Sequence, residues 1–412
     1  MLPLNLKPVL NRALGATIAT LLWVPCLGMT TALGQVPPLL PPLAEPESGA
    51  DLGKADLGVD EQLWGQNGFD RDWSVLMQAV NHSLTYLRSA KARDDYQALA
   101  PQLGPLGIDR ERVLRSVQRF RQLLLTAPSP QALQRQVQAE FDFYPSAGTD
   151  GQGRVHFTAY FEPTYAASRQ PSAAYPYPLY RRPPDLETWP TPHPPRLALE
   201  GSDGLQGAEG PLRGLELVWL ADRLEAYLIQ VQGSARLHLT DGSGMGVGYD
   251  GRTDYPYRSI GRALVEDGHF SAEELTLPKV IAYFREHPED LDRYLPQNDR
   301  FIFFKETTGT PATGSIGVPV LPERSIATDK TLMPPGALLL MHLELPYATA
   351  SGDYQSRPVS RYALNQDTGG AIQGPGRADI FLGTGTIAGE RAGRVNSDGQ
   401  LYYLFLKPTL KN

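Results

Sequence analysis

The segment best suited to chemistry lies near the C-terminus, where two aspartates flank a glycine-dense stretch between predicted strands. Residues 366–381 read Gln-Asp-Thr-Gly-Gly-Ala-Ile-Gln-Gly-Pro-Gly-Arg-Ala-Asp-Ile-Phe. Glycine permits positive φ angles and close approach, so the loop could hold a carboxylate facing a cleft. Asp379 precedes the apolar Ile380 and Phe381, and burial there would raise its pKa towards the range in which an acid donates protons near neutral pH. On the residues alone, a turn capped by Asp367 and Asp379 is an alternative interpretation.

Other kinds of chemistry find little support in the sequence. The histidines are never spaced i, i+4 as in a helical zinc pair, so we predict no metal site. There is no Gly-x-Ser-x-Gly elbow and no phosphate-binding loop. Residues 383–389 are glycine-rich, but their spacing is wrong for a dinucleotide fingerprint, and we predict a turn there. The sequence therefore predicts an activity without a cofactor.

Length and composition indicate an ordinary globular protein. The 412 residues are 41% hydrophobic and 20% charged, which is enough for two domains. The formal net charge is -7, and no basic patch suggests a nucleic-acid partner. Oligomeric state has no clear signal, and we expect a monomer.

The first 34 residues are typical of a secretory signal peptide. Lys7 and Arg12 precede an apolar run, and small residues precede Gln35. Pro25 and Gly28 interrupt the run early for a membrane-spanning helix, although an uncleaved anchor is the alternative. Cleavage after Gly34 would remove two positive charges and no acidic ones, so the net charge would move from -7 to -9 (-7 minus 2). It would also remove Cys26, the single cysteine, and with it any disulfide.

A proline-rich linker is predicted for residues 35–60, followed by a helical region and then by strands. Apolar residues recur at helical spacing within residues 70–90. Asp109 caps a second helical run, and Ser129 with Pro130 opens a third helix. From residue 155 the period changes to two, which indicates a half-buried strand. Further strands are predicted at residues 215–220, 235–239, 301–305, 337–345, 359–365, 380–382 and 401–406, and helices at 257–266 and after a capping box at 271–274.

Three aspartate blocks resemble the C-terminal region of the membrane-bound lytic murein transglycosylase A family. They are Ala327-Thr328-Asp329, the Asp-Thr-Gly-Gly-Ala-Ile-Gln-Gly run of residues 367–374, and Asp379-Ile380. Gly-Thr-Gly at 383–385 and Ala-Gly-Glu-Arg-Ala-Gly at 388–393 follow. Three more blocks, at residues 158–163, 231–234 and 257–261, are similar to the same family.

This resemblance implies a mainly β fold with helices (α+β): a double-psi β-barrel with a second β-domain inserted and the glycan between them. We expect the barrel and its helices at residues 61–165 and 311–412, and the insertion at 166–310. The implied function is that of a lytic exotransglycosylase, a lyase that cleaves the β-1,4 bond between N-acetylmuramic acid and N-acetylglucosamine in peptidoglycan. Asp379 would act first as acid and then as base, and the sugar's own C6 hydroxyl would attack C1 in place of water. The product would carry a 1,6-anhydromuramic end.

The resemblance assigns supporting roles to Asp367 and Asp329, which would orient loops and raise the pKa of Asp379. Capping of a turn is an equal alternative for Asp329. Residues expected to bind the glycan are Thr158, Tyr160, Gln232, Gly233, Ser234, Gly369 and Gly370. Packing alone would explain Tyr160 as well.

Two departures from the family affect the expected location and the loop. Pro25 stands before Cys26 where a lipoprotein signal is expected, which argues against a lipid anchor. The segment 374–379 is one residue longer than the family pattern, which affects the expected detail of the loop. We expect an exported protein, in the periplasm or peripherally associated with the outer membrane. Two alternatives stay open: a peptidoglycan hydrolase that uses two carboxylates, and a wall-binding module without activity.

Overall fold

The computed structural model describes residues 37–43, 57–272 and 274–408. The predicted signal peptide and most of the predicted linker lie outside the described residues. Everything described belongs to one unit, residues 37–412. In these ranges, no helix combines the length and the apolar character that a membrane crossing requires.

The helices and strands alternate in a mixed order along the chain. The helices are α1 Trp73–Leu87, α2 Ala90–Leu103, α3 Arg110–Thr126, α4 Pro130–Glu140, α5 Arg196–Glu200, α6 Arg223–Gln232, α7 Ile260–Glu266, α8 Leu277–Glu286, α9 Leu291–Tyr294 and α10 Thr386–Ala392. The strands are β1 Phe141–Pro145, β2 Val155–Glu162, β3 Thr164–Ser168, β4 Tyr177–Tyr180, β5 Glu216–Leu220, β6 Ser234–Leu239, β7 Gly244–Arg252, β8 Ile302–Glu306, β9 Ser325–Ala327, β10 Leu338–Ala348, β11 Tyr354–Asp367, β12 Arg377–Thr384 and β13 Ser397–Leu406.

Helices α1 to α4 form a layer whose limits follow the predicted caps. The Asp109 side chain accepts a hydrogen bond from the Arg112 amide at 2.7 Å, and that of Ser129 accepts one from the Ala132 amide at 3.1 Å. Each cap satisfies an amide that the first helical turn leaves unpaired. The predicted apolar face of α1 is buried through Leu76, Val80, Leu84 and Leu87. Helix α2 was not predicted, because polar and charged residues make up much of its sequence.

A closed barrel forms the centre of the molecule. The strand order is β1-β13-β10-β11-β9-β12-β2, and β2 pairs again with β13, so six strands close a ring while β1 lies outside it against β13. Two pairs in the ring, β2 with β12 and β9 with β11, are parallel, and the others are antiparallel. These strands contribute aliphatic and aromatic side chains that are fully buried, including Leu340, Leu364, Ile380 and Phe405. This closed, mixed barrel with helices confirms the predicted fold class.

A second sheet forms from the chain between β2 and β9. Its order is β4-β5-β3-β6-β7-β8, and all six strands come from residues 164–306. It has its own buried core, which includes Val218, Leu237 and Phe304, and α6 to α9 contribute to a further apolar cluster. At the end of β2, Glu162 accepts hydrogen bonds from Arg236 of β6 at 2.7 Å and from Thr384 of β12 at 2.8 Å, which ties the second sheet to the barrel. The domain limits at residues 166 and 310 stay a prediction.

Two local predictions were wrong. The capping box forms, since Ser271 and Glu274 hydrogen-bond each other at 2.8 to 3.3 Å, but α8 begins later with Thr276 as its cap. The box therefore closes only a turn. Residues 383–389, predicted as a turn, instead end β12 and begin α10. A Cβ at Gly389 would come within 2.6 Å of the Phe161 ring, so this glycine serves close helix packing and not a turn.

Candidate active site

Side chains that are far apart in sequence form a single row across four barrel strands. Asp379 of β12 is opposite Thr158 of β2 on one side and Ala327 of β9 on the other. Ala327 is in turn opposite Asp367 of β11. Residues paired in this way on adjacent strands project to the same face of a sheet. The register therefore brings two of the predicted aspartates to one surface, with a small alanine between them.

Asp379 is half-buried beside Thr158. The Thr158 hydroxyl donates to Asp379 Oδ1 at 2.7 Å. Burial raises the pKa of Asp379 to about 6; the hydrogen bond from Thr158 and the charge of Arg377 lower it, and the charge of Asp367 raises it. At this pKa the carboxyl is protonated in a substantial fraction of molecules near neutral pH and can also hold a negative charge, so it can both donate and accept a proton.

Arg377 is a part of the site that the sequence analysis missed. It lies two residues before Asp379 on the same strand, and Nη2 donates to the Thr158 hydroxyl at 3.4 Å. Burial lowers the pKa of Arg377, although the charge of Asp379 raises it. The strand was predicted at 380–382 but begins at Arg377, so Arg377 and Asp379 are at i and i+2 of β12 and share a face.

Asp367 is half-buried among hydrogen-bond donors. Its Oδ2 accepts from the Tyr160 hydroxyl at 2.7 Å, and its Oδ1 accepts from the amides of Ser315 and Thr368, both at 2.8 Å. Burial raises the pKa of Asp367, and these three hydrogen bonds lower it. Both oxygens are therefore engaged by the protein. The preceding Gln366 fixes the strand end from the other side, since it donates to the Ala79 carbonyl of α1 at 2.8 Å.

Asp329 lies at the base of the glycine-rich loop. Its Oδ2 accepts from the Gly374 amide at 2.8 Å, and its Oδ1 accepts from the amide and hydroxyl of Thr331 at 3.0 and 2.6 Å. The Gly374 contact holds the loop that joins β11 to β12, and the two Thr331 contacts cap the turn after β9, so both roles considered for Asp329 are present. The charge that raises the pKa of Asp379 is that of Asp367.

Thr158 and Tyr160, predicted to bind the glycan, contact the two aspartates. They project from the same face of β2, and each donates its hydroxyl to one carboxylate. The Tyr160 ring also packs on Phe381, with 5.2 Å between ring centroids. The predicted alternation of β2 thus places both hydroxyls on the face of the sheet that carries Asp379 and Asp367.

The glycines at 369 and 370 lie in the loop after Asp367. A Cβ on Gly370 would overlap Nη1 of Arg300, which comes from the segment before β8 of the second sheet. A Cβ on Gly369 would lie 3.0 Å from Ile372. Gly370 is therefore required for a close contact between the loop and Arg300.

Gln232, Gly233 and Ser234 form the turn between α6 and β6. Gly233 takes a φ of 80°, which favours glycine at a helix end. The side-chain carbonyl of Gln232 accepts from the Phe161 amide of β2 at 3.1 Å, one residue beyond Tyr160. Ser234 starts β6 opposite Gly248. The structure thus brings Gln232 to the barrel strand, and neither Gly233 nor Ser234 contacts the aspartates in any hydrogen bond of the described residues.

A cavity of about 330 Å³ lies beside Asp367. Helix α2 forms one wall and the segment around Lys330 forms another. Among the described residues, no group of three or more His, Cys, Asp or Glu side chains could hold a metal ion.

Two family models match the chain. The MltA specific insert domain matches residues 156–305, and the 3D domain matches residues 324–405. Membrane-bound lytic murein transglycosylase A of Escherichia coli (strain K12) is 30% identical over 274 residues, which is 66% of this chain and 71% of the relative. The protein of the same name from Vibrio cholerae is 32% identical over 263 residues, or 63% of this chain and 68% of the relative.

Solved structures show the same fold. A membrane-bound lytic murein transglycosylase from Agrobacterium tumefaciens superposes with a TM-score of 0.65 at 27% identity, covering 84% of this chain and 95% of that one. Escherichia coli MltA with bound chitohexaose has a TM-score of 0.62 at 24% identity, covering 89% and 94%. On the relatives' identity and coverage, the chain belongs to the membrane-bound lytic murein transglycosylase A family.

Proposed function

We propose that the protein is a lytic transglycosylase that cleaves the β-1,4 bond between N-acetylmuramic acid and N-acetylglucosamine in peptidoglycan and leaves 1,6-anhydromuramic ends. The names of its curated relatives support the substrate class and the reaction. The observation that carries the mechanism is the half-buried carboxyl of Asp379, whose pKa is raised to about 6.

Asp379 performs both proton transfers in this proposal. The protonated carboxyl gives its proton to the glycosidic oxygen as the bond from that oxygen to C1 breaks. The carboxylate then takes the proton of the C6 hydroxyl, whose oxygen forms the new bond to C1. Asp379 ends protonated, as it began, and no water is consumed. Since one group does both steps, a pKa near the working pH serves the reaction better than a strongly acidic one.

The arrangement of Asp367 disfavours the two-carboxylate hydrolase. A hydrolase needs a second carboxylate free to attack or to activate water, at about 5 Å for retention or roughly 6.5–9.5 Å for inversion. Both oxygens of Asp367 already accept hydrogen bonds from the protein, three in all, so neither is free to attack C1 or to activate a water. Instead we assign Asp367 to electrostatic and structural support, and Asp329 to holding the glycine-rich loop.

The glycan would lie between the barrel and the second sheet, with Asp379 at the barrel surface. In this arrangement residues 61–165 and 311–412 form the catalytic barrel and its helices, and residues 166–310 form the inserted domain. Thr158, Tyr160, Gln232, Gly233, Ser234, Gly369 and Gly370 are assigned to the groove. The protein would act in the envelope after export; the names of its relatives include the term membrane-bound. Cell fractionation tests this last point, and a cytosolic pool alone would contradict it.

Product mass gives the decisive test of the reaction. Purified peptidoglycan is digested with the protein and the released muropeptides are weighed. We expect ends lighter by one water than those produced by hydrolysis. Asp379→Asn should release nothing while still binding glycan, and Asp353→Asn, in an exposed turn, is the matched control that should cleave normally. Hydrated reducing ends throughout would overturn the proposal, and no release by any form would leave a wall-binding module as the function.

A further inference from the structure

Arg300 is a buried cation for which the described part of the chain offers no carboxylate. Its side chain is 7% exposed, and Nε donates to the Tyr255 carbonyl at 2.8 Å. None of the ion pairs among the described residues involves it, and its two terminal nitrogens make no hydrogen bond to the protein there. The residue as a whole is buried, but its terminal nitrogens keep contact with solvent. The guanidinium is therefore available to a negative charge from outside the protein.

A second guanidinium, that of the exposed Arg252, adds positive charge beside Arg300. Arg252, at the end of β7, donates to the carbonyls of Thr253 and Tyr255 at 2.9 and 3.3 Å and, like Arg300, has no carboxylate partner among the described residues. Burial lowers the pKa of Arg300, and the charge of Arg252 lowers it further. The two cations are thus close enough to repel each other, and both are tethered to the Tyr255 carbonyl.

The barrel provides a contrasting arginine. Arg324 is fully buried, but it meets Asp60 at 2.5 Å and Asp72 at 2.6 Å, so its charge is balanced within the fold. Among the described residues, Arg300 donates a hydrogen bond only to the Tyr255 carbonyl. A purely structural arginine in this protein is paired, and Arg300 is not.

Position connects Arg300 to the candidate active site. Its Nη1 occupies the space that a Cβ on Gly370 would fill, three residues after Asp367 in the loop that leads to Asp379. Its backbone belongs to the region of the second sheet, just before β8. Arg300 thus lies where the second sheet meets the loop between the two aspartates. Tyr249, half exposed on β7, lies near Arg300.

We propose that Arg300, assisted by Arg252, binds a carboxylate on the side branch of the muramyl residue and so positions that sugar in the groove. This inference rests on the proposed function, because it names the part of the peptidoglycan that the site reads beyond the sugar rings. A guanidinium suits the task, since its planar donors match the two oxygens of a carboxylate. The carboxylate is either the lactyl group or one on the attached peptide. Arg300 is a positioning residue and takes no part in bond breaking.

The test compares charged and neutral glycans by calorimetry in the Asp379→Asn background, so that no ligand is consumed. The probes are chitohexaose, which has no carboxylate, peptide-free glycan strands with exposed lactyl carboxylates, and strands that keep their peptides. We expect Arg300→Gln to weaken binding of at least one carboxylate-bearing probe by about tenfold or more, with less than a twofold effect on chitohexaose. Arg300→Lys should recover part of the loss. Whichever charged probe responds identifies the source of the carboxylate.

The controls separate recognition from damage to the fold. Arg262→Gln removes a guanidinium that is 80% exposed on α7, and it should change no affinity. Equal losses on all three probes would show that Arg300 only supports the loop, and no loss on any probe would remove it from binding; either result overturns the inference. Because the readout is affinity and not product mass, a failure here is distinct from a failure of the proposed reaction.

Discussion

Two carboxylates of the barrel region, the buried Glu323 and the half-buried Asp379, have different surroundings. Glu323, beside the start of β9, faces Arg361 and Arg391; burial alone would raise its pKa, but the arginines lower it. At Asp379 the balance is reversed, because burial outweighs one threonine hydroxyl and the more distant charge of Arg377. Burial is common to both, so the number and proximity of arginines decide whether a carboxylate stays ionised or can exchange its proton. The first arrangement stabilises the fold, and the second is suited to catalysis.

The largest expected effect in this comparison is the loss of activity in Asp379→Asn. The asparagine can still accept the hydrogen bond of Thr158 but cannot carry a proton to the glycosidic oxygen, so cleavage should fall by about a thousandfold or more. Release of soluble muropeptides measures the loss. Glu323→Gln is the partner variant, and its remaining folded fraction should cleave at nearly the normal rate. If both variants lose activity equally, the distinction between the two groups is wrong.

The next largest effect concerns the stability that the buried ion pairs of Arg324 provide. Arg324 is also one of the arginines that lower the pKa of Glu323. Arg324→Leu leaves Asp60 and Asp72 buried without their cation, and we expect a loss of about 3–5 kcal/mol in the free energy of unfolding. Urea denaturation followed by circular dichroism measures it. Arg293→Leu, which removes an exposed ion pair with Asp267, should cost about 1 kcal/mol or less. Similar costs for the two variants would contradict the role assigned to the buried pair.

A smaller effect, of opposite sign, is expected for the stability of Asp379→Asn. The pKa of Asp379 rises from its ordinary 3.8 to about 6 on folding, so the folded state favours the protonated form. That advantage is fully present below pH 3.8 and is lost as the pH rises through 6, where the ionised group opposes folding. The asparagine variant should therefore exceed the wild type by about 1–3 kcal/mol at pH 8 and show much less gain at pH 4. A gain that does not depend on pH would contradict the raised pKa.

The smallest expected effect is a shift of the pH profile when the Thr158 hydroxyl is removed. Its hydrogen bond lowers the pKa of Asp379, so Thr158→Val should raise that pKa further. Because the acid must be protonated, kcat/KM falls as the pH rises through this pKa, and we expect the fall to move to higher pH by about 0.5–1 unit. A pH profile on soluble glycan strands measures the shift. Thr158→Ser keeps the hydroxyl and should leave the profile in place.

Local patterns predicted the elements that follow simple rules. The caps at Asp109 and Ser129 and the alternation of β2 fixed three element limits closely, because each depends on neighbouring residues only. Strand β7 was missed because four of the nine residues in its sequence, Gly-Met-Gly-Val-Gly-Tyr-Asp-Gly-Arg, are glycine, which is depleted in strands. A Cβ at Gly246 would lie 2.8 Å from the Thr307 hydroxyl, so packing against a distant segment selects those glycines.

Some residues of the candidate site were likewise predicted from the sequence, and others became visible only in the structure. The three aspartates were found through the family resemblance, whereas composition alone left a capped turn as the alternative. The pairing of Thr158 with Asp379 depends on strand register between segments that are 221 residues apart, which no local pattern encodes. Arg300 is 79 residues from Asp379 (379 minus 300) and has no motif around it. Its link to the site appears only through the space left by Gly370.

The closed ring of six strands has a consequence for how the protein would lose activity on heating. A closed sheet has no free edge from which strands can fray, so the row from Thr158 to Asp367 cannot loosen one strand at a time. Asp379 and its neighbours should therefore lose their arrangement only when the whole barrel unfolds. Inactivation by heat should therefore coincide with global melting and not precede it, in contrast to enzymes whose reactive groups sit on mobile loops.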